Sequence, residues 1–165
     1  MSISMYQASA PQFLRALESL SAILKKGEHL GDAIVEARLA PDMLTLAGQI
    51  QRATDSAKGC MARLADIPIP SFPDTEKTLA ELHARIAKTV EFIKSIPPAQ
   101  IDGSENTPVA LSAGPRELKF TGEGYLLSFA LPNFYFHITT AYAILRHEGV
   151  GIGKRDYLGR LALAA

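Results

Sequence analysis

Cysteine occurs once in this chain, as Cys60. That excludes an intramolecular disulfide and any cluster of thiolates for zinc. Net charge is lacking too, because 17 basic side chains balance 17 acidic ones. Nucleic-acid affinity is dominated by phosphate contacts and needs an excess of Lys and Arg. No basic run or stripe is present, so no nucleic-acid partner is expected. No apolar run reaches the roughly 20 residues that span a bilayer, so no membrane partner is expected either. The first segment, "MSISMYQASAPQFLRALESL", has no basic stretch followed by an apolar one, which argues against a secretory signal. These absences together predict a cytoplasmic protein. What is present is ordinary for a globular fold: 47% apolar and 21% charged residues in 165 positions. Residues 1–165 read as one domain with a full core.

Helical rhythm dominates. Phe13, Leu17, Leu20 and Leu24 recur at helical spacing in the first such segment, with Lys25, Lys26 and Gly27 as its end. Pro11 predicts a kink if that helix begins near Ser4. "GEHLGDAIVEARLAPDM" is irregular and reads as connecting structure. Pro41 suits a helix N1 position and Asp42 suits the positive end of the dipole, so a second helix is expected through "MLTLAGQIQRATDSAKGCMARLA". Its small residues, Gly48, Ala53, Ala57 and Gly59, allow close approach of another helix. "DIPIPSFPDT" is a proline-rich linker. Asp74 or Thr75 is expected to cap a third helix, whose stripe is Leu79, Leu82, Ile86, Val90 and Ile93. Strand-like alternation follows: Leu118 with Phe120, then Tyr125 with Leu127 and Phe129, with "TGEG" as the turn of a hairpin. Pro132 opens a fourth long helix and Gly149 closes it. The expected fold is all-α, a four-helix bundle with a short β-hairpin or extended insertion before the last long helix.

That last helix, "LPNFYFHITTAYAILRHEGV", poses the functional question. Asn133, His137, Ala141, Ile144 and Leu145 share one face. Three of these are core types, so the amide and the imidazole point into the bundle. Gln49 does the same from the second helix. Buried polar groups left unpaired cost roughly 1–3 kcal/mol each, so these side chains must find partners. The residues allow three readings: a hydrogen-bonded core network, a small-molecule pocket of Gln49, Asn133, His137 and Tyr142 walled by Phe134 and Phe136, or a metal site with His137 as ligand. Zinc and nickel favour histidine, thiolate and carboxylate, and neutral amides serve them poorly. Cys60, on an apolar side, reads as a buried structural thiol, and Asp74 and Glu76 as helix-start residues. Lys154, Arg155 and Asp156 read as a segment that folds back onto the bundle end.

"RLAPDM", the glutamine of "GQIQRATDSAKG", "FPDTEKT", "LPNFYFHITTAYAILRHEGV" and "GKRDYLG" resemble a bacterial family of unknown function within the DinB/YfiT-like superfamily, which is described as one of metalloenzymes. The resemblance runs from about Met5 to Gly159. It implies four main helices and a homodimer. It also implies a divalent-metal site built from one histidine on the second helix and an H-x-x-x-H pair on a later one. Some such relatives transfer low-molecular-weight thiols. Matched at "ILRHEG", His137 falls at the second histidine of the pair, Asn133 at the first, and Gln49 near the second-helix histidine. One ligand position of three keeps its histidine. The expected function is therefore small-molecule binding at a degenerate metal site, without a resident cofactor. A zinc- or nickel-dependent hydrolase or thiol transferase, and a purely structural or interaction role, stand as alternatives.

Overall fold

The computed structural model describes residues 3–113 and 115–161. Helix α1 spans Met5–Lys26. Ser4 caps it, accepting from the Gln7 amide at 3.3 Å while Gln7 Oε1 accepts from the Ser4 amide at 3.1 Å, a reciprocal pairing that satisfies two otherwise orphan donors. Pro11 lies inside the helix. Phe13, Leu17, Leu20 and Leu24 are fully buried, as their spacing predicts. Two short 3-10 turns, Glu28–Leu30 and Asp32–Glu36, form the irregular connection.

Helix α2 spans Leu46–Leu64 and begins later than Pro41 predicts. The Thr45 hydroxyl accepts from the Gly48 amide at 3.2 Å and sets the start, while Ala40–Met43 closes a turn of its own. Helix α3 spans Leu79–Lys94, capped by Thr78 with Glu81 completing the box. Asp74 and Thr75 are thus not its caps.

Strands β1 (Pro108–Ala113) and β2 (Arg116–Thr121) pair antiparallel, with Leu111 opposite Leu118 and Val109 opposite Phe120. The hairpin is as expected, but "TGEG" is not its turn, since both strands, Pro108–Ala113 and Arg116–Thr121, precede Gly122. Thr121 instead caps helix α4 (Gly122–Tyr125) by accepting from the Gly124 amide. Gly122 is obligatory, since a Cβ there would sit 2.0 Å from the Ser104 carbonyl oxygen. Tyr125, Leu127 and Phe129, read as strand from the sequence, are helical. One wide π-type stretch, Leu126–Ala130, joins α4 to α5 (Leu131–His147) without a break. Pro132 therefore lies within a continuous helix. Its missing N–H and its ring clash with the preceding turn, and a widened turn is how a helix absorbs such a residue. Gly149, at φ +90°, closes α5. Helix α6 (Lys154–Leu158) folds back on α1, with Lys26 Nζ 2.6 Å from Asp156 Oδ1.

Among the described residues there are six α-helical segments where four were expected; four of them are long. Helix α2 lies between α3 and α5, and α1 packs on α3 and α5. Phe13 meets Phe134 edge to face at 4.9 Å in the core. Among the described residues no helix is long and apolar enough to cross a membrane.

Candidate functional site

The α2–α5 contact is close because Ala53, Ala57, Cys60 and Ala141 are small and fully buried. Gln49 and His137 meet across it. Gln49 is 1% exposed and His137 9%, and His137 Nδ1 lies 2.7 Å from Gln49 Oε1. The amide's other end donates to the Leu44 carbonyl at 3.3 Å, so its oxygen faces the ring. His137 is then the donor through Nδ1–H, and Nε2 carries the lone pair. The buried and unpaired side-chain atoms among the described residues are His83 Nε2 and Ser104 Oγ. His137 Nε2 has no protein partner among those residues either, so it lies at the edge of solvent. Burial, with the field of Arg52 second, holds the imidazole below its ordinary 6.5. It is neutral at pH 7. The Phe136 ring stands edge-on to it at 5.2 Å.

One turn earlier, Asn133 Nδ2 donates to Ser56 Oγ at 2.7 Å, and Ser56 Oγ donates to the Arg52 carbonyl at 2.8 Å. Asn133 and His137 thus make two parallel cross-helix bonds to α2 and none to each other. Tyr142 does not join them. Five residues past His137, it is rotated about 140° around the helix, and its ring packs on Tyr157 at 5.8 Å. Phe134 is core; Phe136 is 56% exposed.

A cleft of about 460 Å³ opens beside this row, between α2, the hairpin and the widened turn. Arg52, Asp55, Ser56 and Arg63 line it from α2, Tyr125 and Phe129 from the long helix. Gln49, Asn133, His137 and Tyr142 do not line it. Ser56 is the joint between the two features, since its hydroxyl holds Asn133 and its side faces the cleft. Arg63 Nη1 donates to the Tyr125 hydroxyl at 3.2 Å, and its guanidinium lies 5.7 Å from that ring's centroid. Burial, above all, pushes the Tyr125 hydroxyl up to about 12, so it stays protonated. The Cys60 thiol is buried and pushed far up for the same reason, which leaves no reactive thiolate.

The sequence reading missed Arg85. It is buried on α3 and binds through all three of its side-chain nitrogens. Nε donates to Thr54 Oγ1 at 2.8 Å, Nη1 to the Pro73 carbonyl and Glu76 Oε1, and Nη2 to Asp55 Oδ1 at 2.9 Å; Nη2 also lies 3.0 Å from Asp74 Oδ1 as an ion pair. Arg52 also pairs with Asp74 and Asp55, and Lys58 Nζ lies 2.6 Å from Asp55. Phe72 is held between the ammonium groups of Lys58 and Lys88, at 4.5 and 4.2 Å from its ring centre. Asp74 and Glu76 are therefore not helix-start residues; they fasten the proline-rich linker to α2 and α3. The signal was available: Arg85 lies between Leu82 and Ile86 on the stripe that faces the core.

The model of "Domain of unknown function (DUF1993)" matches residues 5–158. The chain belongs to the DUF1993 family. It is also similar to the crystal structure of a DinB family member protein from Shewanella denitrificans, with 37% identity, a TM-score of 0.87, and coverage of 97% of this chain and 94% of that one. The fold of this DUF1993 chain is DinB-like. No curated protein matches it.

The metal implied by the superfamily can be tested against the donors present. Gln49 Oε1 already accepts from His137, and Asn133 gives its amide to Ser56. Among the described residues no three His, Cys, Asp or Glu side chains come together as a metal-binding group. One imidazole nitrogen beside two engaged amides does not fit a zinc or nickel ion.

Proposed function

We propose that this DUF1993 protein binds a small molecule at the α2–α5 wall, in and beside the 460 Å³ cleft, through a degenerate DinB-type site that no longer holds a metal. The observation that carries this reading is His137, which does not line the cleft but shares its row with Asn133, whose partner Ser56 does. Its tautomer is fixed by Gln49, its charge is suppressed, and its second nitrogen is left at the edge of solvent. Here one nitrogen is set by the protein and the other is left to accept a hydrogen bond. The cleft volume lies in the range of ordinary ligand sites, about 300–1,000 Å³.

Two measurements test the reading together. Metal analysis of protein purified without chelators or an affinity tag is expected to find no stoichiometric zinc or nickel. Thermal denaturation against a metabolite panel is expected to find a saturable rise in midpoint. A compound at one hundred times its dissociation constant adds about 2.7 kcal/mol, a rise of roughly 5–10 °C in a chain of this size. A stoichiometric metal lost in His137→Ala would replace this reading with a metal-dependent one.

A further inference from the structure

The polar lining of the cleft is lopsided. Its one carboxylate, Asp55, is already neutralised by Arg85, Lys58 and Arg52. Arg52 is itself committed to Asp55 and Asp74. Arg63 differs from both other arginines of this region. It has no carboxylate partner among the described residues, and its one side-chain bond is to the neutral Tyr125 hydroxyl. Gly59 clears the space it occupies, since a Cβ there would stand 2.7 Å from Arg63 Nη1. The guanidinium is therefore held in place while most of its donors have no protein partner among the described residues. Beside it the cleft is apolar: Phe129 stacks on Tyr125 at 6.0 Å, and Leu111 and Leu118 face them from the hairpin.

A planar cation with a fixed fork pairs best with a planar, two-oxygen anion. An aromatic and aliphatic wall beside it excludes water and selects an apolar body. We infer that the cleft takes a small organic acid, with its carboxylate on Arg63 and its apolar body against Phe129, Leu111 and Leu118. The inference rests on the reading of the cleft as a ligand site and names the class of ligand.

Three probes test it by NMR titration of the full chain: 3-phenylpropionate, its uncharged amide, and inorganic phosphate. The acid is expected to shift the Arg63 side-chain and Ser56 and Gly59 amide resonances saturably. The amide should bind about tenfold or more weakly, the usual loss for a hydrogen bond to a charged group. Arg63→Gln should lower the acid's affinity to that of the amide. Ser112→Trp, on the exposed hairpin, fills the cleft without touching the core and should abolish the shifts. Should Arg63→Gln not fold, shifts that persist in Ser112→Trp overturn the inference. Equal binding of acid and amide at these resonances leaves a ligand site but removes the acid class. Phosphate as tight as the organic acid removes the apolar half of that class. No shift from any probe overturns the inference, and with a blank metabolite panel the ligand-site reading falls with it.

Discussion

Helix α2 carries a polar seam on each of two sides, and the seams differ in kind. Towards α3 the seam is charged and closed. Arg85 hydrogen-bonds Thr54, Pro73, Glu76 and Asp55 and pairs with Asp74, and the linker that supplies three of these is clamped. Towards α5 the seam is neutral and left open. Gln49 sets His137, Ser56 sets Asn133, and beside them Arg63 rests on a tyrosine hydroxyl. Buried charge is tolerated only when every group is answered, so a saturated seam is architecture. Side chains that the protein orients but does not saturate are where an outside molecule can bind.

The largest effect expected on this contrast comes from Arg85→Ala. It leaves Asp55, Asp74 and Glu76 facing one another without their shared cation. Losing one partner of a buried ion network costs about 3–5 kcal/mol, and partial exposure of Asp55 and Asp74 puts this case near the lower end. The urea midpoint should fall accordingly. Arg85→Lys should recover little, since a single ammonium cannot reproduce the directed bonds of three nitrogens in a planar fork. A wild-type midpoint in Arg85→Ala would show that the closed seam is not architectural.

Next in size is the His137–Gln49 bond. His137→Ala and Gln49→Ala should each lower stability by about 1–3 kcal/mol, because each strands the other buried group. The double variant should fall short of the sum by about 1 kcal/mol. Strict additivity would mean that the two side chains do not share a bond.

How far the site was legible in the sequence follows the range of the interactions. The long helices and their buried stripes, such as Leu79, Leu82, Ile86 and Ile93, follow from local periodicity and are where it places them. The meeting of Gln49 and His137 followed from helical facing plus the family likeness. Boundaries set by a hydroxyl cap are not legible: at Thr45 and Thr78 nearby prolines and acidic residues offer rival starts, and at Thr121 strand-like alternation makes "TGEG" read as a hairpin turn. Tyr142 was placed with His137 although the helical period puts it on another side. Asp74 and Glu76 are unreadable as linker anchors because their partner, Arg85, lies on α3, beyond the reach of local pattern. The cleft depends on where the hairpin lies against α2 and on a widened turn, which no local pattern specifies.

The two seams should also separate by pH. For His137 the folded value lies below the ordinary 6.5, chiefly through burial. Its contribution is complete above 6.5 and is lost as pH falls from there through the folded value. For Glu76, burial pushes up, but bonds from Arg85 and Gln51 prevail and hold it below 4.5. Its contribution is complete above 4.5 and is lost as pH falls through the depressed value. The open seam should therefore weaken at milder acidity than the closed one. Urea midpoints measured against pH should show two declines, the upper erased by His137→Gln and the lower reduced by Glu76→Gln, with Glu81 and Asp156, also held low, keeping the remainder. A single decline untouched by either variant would show that neither group titrates as placed.

The smallest effect belongs to Ser56→Ala. The hydroxyl joins the two halves of the open seam, accepting from Asn133 and facing the cleft. Asn133 is only partly buried, so water can replace the lost acceptor, and the expected cost is about 1 kcal/mol, the net worth of one hydrogen bond. Ligand affinity is the sharper readout. If Asn133 and the cleft act as one site, Ser56→Ala should weaken any ligand found by the panel by more than this small loss of stability would suggest, while Thr54→Ala on the closed seam should leave that affinity unchanged. Equal effects of the two variants would erase the distinction between the seams.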